Sequence, residues 1–363
     1  MKIFYGVQGT GNGHITRARV MAAAFAKRDD IQVDYLFSGR AADKYFDMEV
    51  FGDFQTRRGL SFVTKKGSID HWQTFKQAST TQLWKDIKSL DLSGYDLLLN
   101  DFEPISAWAA KRQKIPSISI SHQAAFTHNV PKEGDNLMNR LLLKYFAPCD
   151  INLGVHWHHF GHHLLPPLID IEPVKDVKTD QYLVYLPFEN LTDIEEFLKP
   201  ISEKRFVCFH PNLDSDYDDE NISWRKTSKT GFREELVVSA GVIANAGFEL
   251  SSECLMLGKK LLLKPLHGQF EQLSNVLTLN ELQLCSKMHN LDTDILDKWL
   301  HAPSNNKIVF PQDVSPLVDW IKAQKWQDTG DLCKALWDQV IYPEPVQRLL
   351  NRYPKLTGSG NAA

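Results

Sequence analysis

The residues from 237 to 275 constrain the fold of this chain most strongly. An apolar run ends at Gly247, a helical pattern follows, the chain turns at Gly258, and a strand-like run covers 260–264 before a polar loop. A glycine turn between a strand and a helix lets a ligand approach the backbone, where free N–H groups and a partial positive charge attract anions. The stretch therefore predicts a phosphate-binding unit of α/β type.

Short apolar runs alternate with helical patterns along the rest of the chain. The predicted strands are 2–7, 32–37, 95–100, 115–121, 151–155, 182–186, 206–210, 260–264 and 283–286. The predicted helices are 15–27, 70–89, 104–113, 136–146, 192–198, 314–323 and 331–340, with an acidic loop at 214–220 and a frayed tail at 358–363. Because strands joined by helices pair in parallel, the alternation predicts doubly wound sheets.

The length of 363 residues exceeds what one ordinary core supports, so two domains are expected. Prolines cluster between Leu164 and Pro173, and polar residues follow to Asp180. We therefore expect one domain over 1–170 and a second over 171–363, and the last helix could pack back on the first domain.

Composition indicates a globular protein without a bulk preference for nucleic acid. The chain has 41 Lys+Arg against 45 Asp+Glu, a formal net charge of -4. Its five cysteines include no CxxC pair, which favours reduced thiols and a cytoplasmic location. No apolar stretch approaches the ~20 residues that cross a bilayer, and the glycine-rich start does not resemble a signal peptide.

A glycine-rich loop, Gly9 to Gly13, follows the first predicted strand. A dinucleotide-binding fingerprint would need a third glycine at the position of His14, and the next strand is followed by Ser38-Gly39-Arg40 rather than an acidic residue. Both departures argue against a nicotinamide or flavin cofactor.

Four positions in the second half form one pattern. Glu253 follows Gly247 by six residues, Gly258 follows by five more and Pro265 by seven more. A polar segment with His267, Gln269, Glu271 and Gln272 closes the pattern. This order resembles GT-B glycosyltransferases that use UDP-sugars, namely the peptidoglycan lipid-linked N-acetylglucosaminyltransferase, diacylglycerol glycosyltransferase and UDP-glycosyltransferase families.

The resemblance implies a fold and a reaction. The fold would be GT-B, with two Rossmann-like, doubly wound domains facing across a cleft and C-terminal helices closing the chain. The first domain would hold a small-molecule, glycan or lipid acceptor, and the second a nucleotide-sugar donor. A sugar would pass from the donor, expected to be a UDP-sugar, to an acceptor hydroxyl with inversion and without a metal or other cofactor.

The same resemblance implies donor-binding residues. Backbone groups at Gly247 and Phe248 would hold the diphosphate, and Glu253 would bind the ribose. The remaining expected donor contacts are Ser251, Ser252, His267, Gln269, Glu271 and Gln272. Mid-helix serines also bond back to their own helix, and Glu253 could be a plain solvent-facing residue, so those alternatives stay open.

Matching the first half to the family assigns catalysis to His14, oriented by Asp101. Histidine can accept a proton near neutral pH, and a carboxylate behind it fixes the tautomer. Gly11, Asn12 and Gly13 form the expected acceptor or phosphate loop. Asp101 could instead cap the next helix, and Glu103 is then the neighbouring rival for the catalytic role. His122 and Gln123 follow the next strand in the same kind of position.

Several features remain open at this stage. Lys260 replaces a usual proline, and Glu249 puts an acid at the helix start where it would repel a diphosphate. Five histidines lie between His156 and His163, for which we favour cleft lining or surface over a metal. The segment 137–146 favours core packing over a membrane-surface helix, although peripheral contact at the inner membrane face remains open. The alternatives to transfer are a UDP-sugar 2-epimerase and an inactive UDP-sugar-binding protein.

Overall fold

The computed structural model describes residues 1–45, 47–59, 64–65, 68–69, 80–174, 176–303 and 307–356. Its strands are β1 Lys2–Gln8, β2 Gln32–Ser38, β3 Phe54–Arg57, β4 Thr64–Lys65, β5 Ser68–Ile69, β6 Leu97–Asp101, β7 Ser117–Ser121, β8 Ile151–Gly154, β9 Lys178–Tyr185, β10 Arg205–His210, β11 Tyr217–Asp219, β12 Ile222–Lys226, β13 Ser239–Ala244, β14 Lys260–Leu263 and β15 Ser286–Lys287. Its α-helices are α1 Asn12–Phe25, α2 Thr80–Ser89, α3 Pro104–Gln113, α4 His122–Ala125, α5 Leu137–Tyr145, α6 Leu191–Leu198, α7 Lys229–Val238, α8 Phe248–Leu257, α9 Phe270–Glu281, α10 Thr293–His301, α11 Ser315–Ala323, α12 Gly330–Trp337 and α13 Glu344–Leu350.

The first half is built on a parallel sheet with the order β3-β2-β1-β6-β7-β8. Beyond Lys2, its central strands β1 and β6 are buried, because they carry apolar side chains on both faces. The register pairs Val7 with Asp101, so the glycine loop after β1 and the polar residues after β6 meet at one edge. This edge of an open parallel sheet is where ligands bind.

The second half contains a sheet with the order β11-β12-β10-β9-β13-β14-β15. Its pairings are parallel except for the hairpin between β11 and β12. The prediction of a loop over 214–220 is therefore wrong at Tyr217–Asp219. Acidic side chains are tolerated there because β11 is an edge strand, and Asp218 forms a 2.8 Å ion pair with Arg225 of β12.

The polar segment after Pro265 is also shorter than predicted. Helix α9 begins at Phe270, and the Gln269 side chain caps it by accepting a hydrogen bond from the Gln272 backbone N–H. Polar residues fill the first turn because Gln269, Glu271 and Gln272 face a cavity. The sequence did not reveal this helix because its first turn consists mainly of polar residues.

The C-terminal helices return to the first half. The Tyr342 hydroxyl donates to the Trp157 carbonyl at 2.6 Å, and Trp337 Nε1 donates to the Leu164 carbonyl at 2.6 Å. Helices α7, α10 and α13 were not predicted. The first part of the predicted helix 70–89 and the predicted tail 358–363 lie outside the described residues.

The histidine-rich segment packs into this junction, so the expectation of cleft lining or surface is wrong for His156 and His158, whereas His159, His162 and His163 are partly exposed. His156 and His158 are buried, and the His158 ring lies 6.1 Å from the Trp337 ring and 5.8 Å from the Tyr353 ring. Burial is the main cause that lowers the pKa of His156 far below its ordinary value and that of His158 to about 3. These rings are neutral packing groups.

Helix α5 contradicts the expectation of core packing. None of its residues is buried, and Leu137 and Met138 are each 73% exposed. Leu141, Leu142 and Tyr145 are exposed as well. The helix therefore presents an apolar surface to solvent.

Lys260 has a structural explanation. Its ammonium donates hydrogen bonds to carbonyls at the end of α10, including Leu300 O at 3.0 Å and Ala302 O at 2.6 Å. These carbonyls have no partner within the helix, so the lysine caps α10 where a proline could not.

None of the helices in the described residues is long and apolar enough to cross a membrane.

Candidate active site

A cavity of about 990 Å³ lies between the two halves, at the carboxyl edges of both sheets. The predicted site residues that line it are Gly11, Asn12, Gly13, His14, Gly247, Phe248, Glu253, Gln269, Glu271 and Gln272. The cavity therefore brings the predicted base and the predicted donor helix face to face.

His14 is held at the cavity wall by Asp101. The imidazole Nδ1 lies 2.8 Å from Asp101 Oδ1, with the His14 side chain 14% exposed and the Asp101 side chain fully buried. The ionised Asp101 accepts a hydrogen bond from the Nδ1–H group, which leaves Nε2 as the nitrogen that can take a proton from a ligand. The predicted pair is thus in contact.

Arg17 was not predicted and completes this group. It lies one helical turn after His14 and donates to Asp101 from Nε at 2.8 Å and from Nη2 at 3.0 Å. Burial raises the pKa of Asp101, but the charges of Arg17 and His14 outweigh it and keep the pKa below its ordinary value. The i, i+3 spacing was the signal available in the sequence.

Glu103, not Asp101, caps the following helix. Its carboxylate accepts from Ile105 N at 2.9 Å and from Ser106 N at 2.6 Å. Burial raises the pKa of Glu103. The capping alternative therefore belongs to Glu103, and Asp101 is free to serve the histidine.

The donor side is formed by the start of α8. Gly247 is its N-cap and supplies no side-chain cap, so the first N–H groups of the helix are available to a ligand. A Cβ added at Gly247 would meet no atom of the described chain within 4 Å, which shows open space for close approach.

Glu249, the acid at this helix start, forms an ion pair across the cleft with Arg17 Nη1. Its side chain is 7% exposed, and its second oxygen, Oε2, is buried without a hydrogen-bond partner among the described residues. Burial is the largest cause that raises the pKa of Glu249 to about 8, while Arg17 opposes it. Glu249 therefore links the two halves, and burial favours its neutral form over the charged one.

Glu253 faces the cavity one turn further along α8. Burial raises its pKa to about 7, and the charge of Arg233, also on the cavity wall, opposes the shift. A carboxyl group in this state can donate to or accept from a sugar hydroxyl.

The far end of the cavity is built from α4 and α9. Gln123 Nε2 donates to Glu271 Oε2 at 2.9 Å, which joins the halves again. Gln272 Oε1 accepts from Leu266 N at 2.9 Å. The His122 ring stacks on Phe248 with centroids 3.9 Å apart, so the floor beneath α8 is aromatic.

Three predicted donor residues lie away from the cavity wall. Ser251 and Ser252 are buried, and Ser252 Oγ donates to Phe248 O at 2.7 Å and accepts from Trp157 Nε1 at 2.8 Å. His267 is exposed and is not part of the lining. The serine geometry matches back-bonding within the helix.

Within the described residues, no group of three or more His, Cys, Asp or Glu side chains is arranged to hold a metal ion.

Two α/β halves facing across such a cleft define the GT-B architecture, as the resemblance predicted. The chain belongs to glycosyl transferase family 1, whose family model matches residues 1–303. It is a glycosyltransferase. Curated protein sequences give no match.

Solved structures show the same fold at low sequence identity. The glycosyltransferase SnogD from Streptomyces nogalater is 11% identical with a TM-score of 0.54, covering 97% of this chain and 98% of that one. The calicheamicin glycosyltransferase CalG4 is 13% identical with a TM-score of 0.52, covering 96% and 98%. A Phytolacca americana glycosyltransferase solved with UDP-2-fluoro-glucose and pterostilbene is 12% identical with a TM-score of 0.53, covering 96% and 98%.

Proposed function

We propose that this glycosyltransferase moves a sugar from a UDP-sugar to an acceptor hydroxyl with inversion at the sugar, using His14 as general base. The observation that carries the proposal is the 2.8 Å contact between His14 Nδ1 and Asp101 Oδ1, at a cavity that the start of α8 also lines. In-line displacement requires the base and the leaving group to lie on opposite sides of the sugar, and we propose that the donor binds in this orientation.

The chemistry proceeds in one displacement. His14 Nε2 removes the acceptor proton as the acceptor oxygen attacks the anomeric carbon, and the bond from that carbon to the diphosphate oxygen breaks. Asp101 stabilises the imidazolium that forms, and the diphosphate leaves with the electron pair. The Gly247 N–H already donates to the Asn245 carbonyl at 2.8 Å, so the N–H groups of the first turn of α8, beginning at Phe248, stabilise its charge. We therefore propose that no metal is required.

The nucleotide assignment rests on the resemblance and on the Phytolacca americana structure, which was solved with UDP-2-fluoro-glucose. Glu253 would bind the ribose, and Glu271 and Gln272 the sugar hydroxyls, since all three line the cavity. Thermal shifts across UDP, GDP and TDP would rank the nucleotides, because stabilisation follows concentration over Kd.

The role of His14 is tested by His14→Ala. Transfer should fall by about 10² to 10⁴ while UDP still raises the melting temperature, since the base acts in the transition state and not in donor binding. The matched control is His289→Ala, an exposed histidine outside the cavity, which should retain full rate. An unchanged rate in His14→Ala would refute the assignment, and UDP release without acceptor would point to work on the donor alone.

We further propose that the acceptor half docks on an anionic membrane through the α5 surface, defined as Leu137, Met138, Leu141, Leu142 and Tyr145. Trp108 Nε1 donates to the Tyr145 carbonyl at 3.2 Å, and the exposed Trp84 ring lies 6.4 Å from the Trp108 ring. Aromatic and aliphatic groups therefore form one continuous face.

Cations border the α5 surface although the chain as a whole has a net charge of -4. Lys111 Nζ lies 5.2 Å from the Trp108 ring centre, and Lys144 Nζ lies 5.3 Å from the Tyr145 ring centre. Apolar groups ringed by lysines suit an anionic lipid surface. The surface also adjoins the cavity, since Phe102 of the lining stacks on Phe146 with centroids 4.7 Å apart.

Flotation with vesicles tests this contact. The protein should bind phosphatidylglycerol vesicles more strongly than phosphatidylcholine vesicles, and Leu137→Glu/Met138→Glu should lose binding. Ile341→Glu, an exposed apolar residue outside the α5 surface, is the control. Equal binding by the double variant would contradict the proposal. A location at the cytoplasmic face of a membrane fits the five free cysteines.

A further inference from the structure

Glu249 lies where the proposed diphosphate would bind. It is the second residue of α8, in the turn whose N–H groups face the cavity. The glycine loop of the first half packs directly over it, because a Cβ added at Gly13 would come 3.0 Å from Glu249 Cγ. An ionised carboxylate here would oppose both the helix dipole's attraction for anions and the donor itself.

Among the described groups that act on Glu249, the cation is Arg17. Arg17 divides its single charge between Glu249 and Asp101, to which it makes two hydrogen bonds. The other titratable groups that face this cluster are His14 on α1, Tyr5 on β1, Glu253 on α8 and Glu271 on α9. The carboxylates outnumber the guanidinium, so the cluster favours a proton on one of them.

The unpartnered Oε2 atom identifies the carboxyl that holds this proton. Both oxygens of Asp101 accept hydrogen bonds, whereas Glu249 has one partner for two buried oxygens. A buried ionised carboxylate with an unsatisfied oxygen is unfavourable, and a neutral acid is less so. Burial raises the pKa of Glu249 to about 8, which agrees with a proton on this carboxyl.

We propose that Glu249 is a positioning residue of the donor site that works in its protonated form. Bonded to Arg17, it joins the two halves and leaves the start of α8 uncharged, so that loss of its proton weakens donor binding. The proposal rests on the diphosphate site proposed above, and it adds that donor binding depends on pH through the proton on Glu249.

The donor KM as a function of pH tests it. The wild-type KM should stay level below pH 7.5 and rise about tenfold by pH 9, because only the protonated form binds well and its pKa is about 8. In Glu249→Gln the neutral amide keeps the contact with Arg17, so the KM should stay level to pH 9. Glu196→Gln, an exposed change on α6, should follow the wild type.

A second measurement does not depend on a variant. Calorimetric titration of the wild-type protein with UDP at pH 8, in buffers of different ionisation enthalpy, should show uptake of about half a proton, and at pH 6.5 almost none from this group. A level wild-type KM, or no proton uptake at pH 8, would overturn the inference. Absence of any transfer at pH 7 would instead refute the proposed function.

Discussion

Replacing Arg17 with methionine tests the buried charge group on which the cleft depends. The guanidinium is 2% exposed and bonds Asp101, which is fully buried, and Glu249, which is 7% exposed. Methionine keeps much of the volume and removes the charge. Removing one partner of a buried ion pair costs about 3 to 5 kcal/mol, because a charge is left without compensation.

The low end of that range applies here. Without the charge of Arg17, Glu249 can stay neutral by keeping its proton, and Asp101 keeps the 2.8 Å contact to His14. We therefore expect the free energy of unfolding at pH 7 to fall by about 3 kcal/mol. In the wild type the lowered pKa of Asp101 contributes stability above its unfolded value of 3.8 that is lost as pH falls through the folded value.

Urea unfolding of wild type and Arg17→Met between pH 7 and pH 4 provides the assay. The deficit of the variant should narrow toward pH 4, because Asp101 without Arg17 can protonate. Arg28→Met is the matched control, since Arg28 pairs with Asp319 between the same two halves on the exposed surface and should change stability little. A deficit under about 1 kcal/mol at pH 7 would refute the reasoning.

Three further predictions concern single residues. Gly247→Ala should fold normally, because the added Cβ meets open space, yet it should raise the donor KM about tenfold or more, because the methyl group keeps the donor from the backbone. The control Gly94→Ala, whose Cβ also meets open space, should leave the donor KM unchanged. Between pH 7 and pH 5, the free energy of unfolding of His158→Phe, measured by chemical unfolding, should fall by about 2 kcal/mol less than that of the wild type. The folded pKa of His158, about 3, lies below the unfolded 6.5, so in this range the unfolded wild-type chain binds a proton that the folded chain does not. A pH dependence of stability equal to that of the wild type would count against this prediction. Glu103→Ala should cost about 2 kcal/mol in the same assay, since it removes a cap and leaves buried N–H groups unpaired; a loss below about 0.5 kcal/mol would contradict the capping role.

The parts of the fold that were predicted are those with strong periodicity. The strands β1, β6 and β14 contain apolar runs, β7 alternates serine and isoleucine, and α3 was predicted with its observed limits, 104–113. The edge hairpin of β11 and β12 escaped prediction because an edge strand needs no apolar face. Helix α9 escaped because its first turn faces the cavity.

Site residues could be predicted where they occupy positions of the family pattern, and not where their role depends on contacts with residues distant in sequence. His14 and Asp101 follow glycine-loop and strand-end positions, and the structure places them in contact. Arg17 contacts residues 84 and 232 positions away in sequence, so its i, i+3 spacing from His14 does not by itself identify these partners. Ser252 occupies a donor-like position but bonds Trp157, a partner 95 residues distant.

The aromatic floor beneath α8 bears on how such enzymes could be recombined. Phe248 and Ser252 belong to the donor half, but they pack against His122 and Trp157 of the other half. A chimaera that took its donor half from another glycosyltransferase would place foreign side chains against these two rings. Donor exchange in this chain should therefore graft the cavity-facing residues of α8 and α9 while retaining Phe248 and Ser252, so that the seam between the parents falls outside the floor.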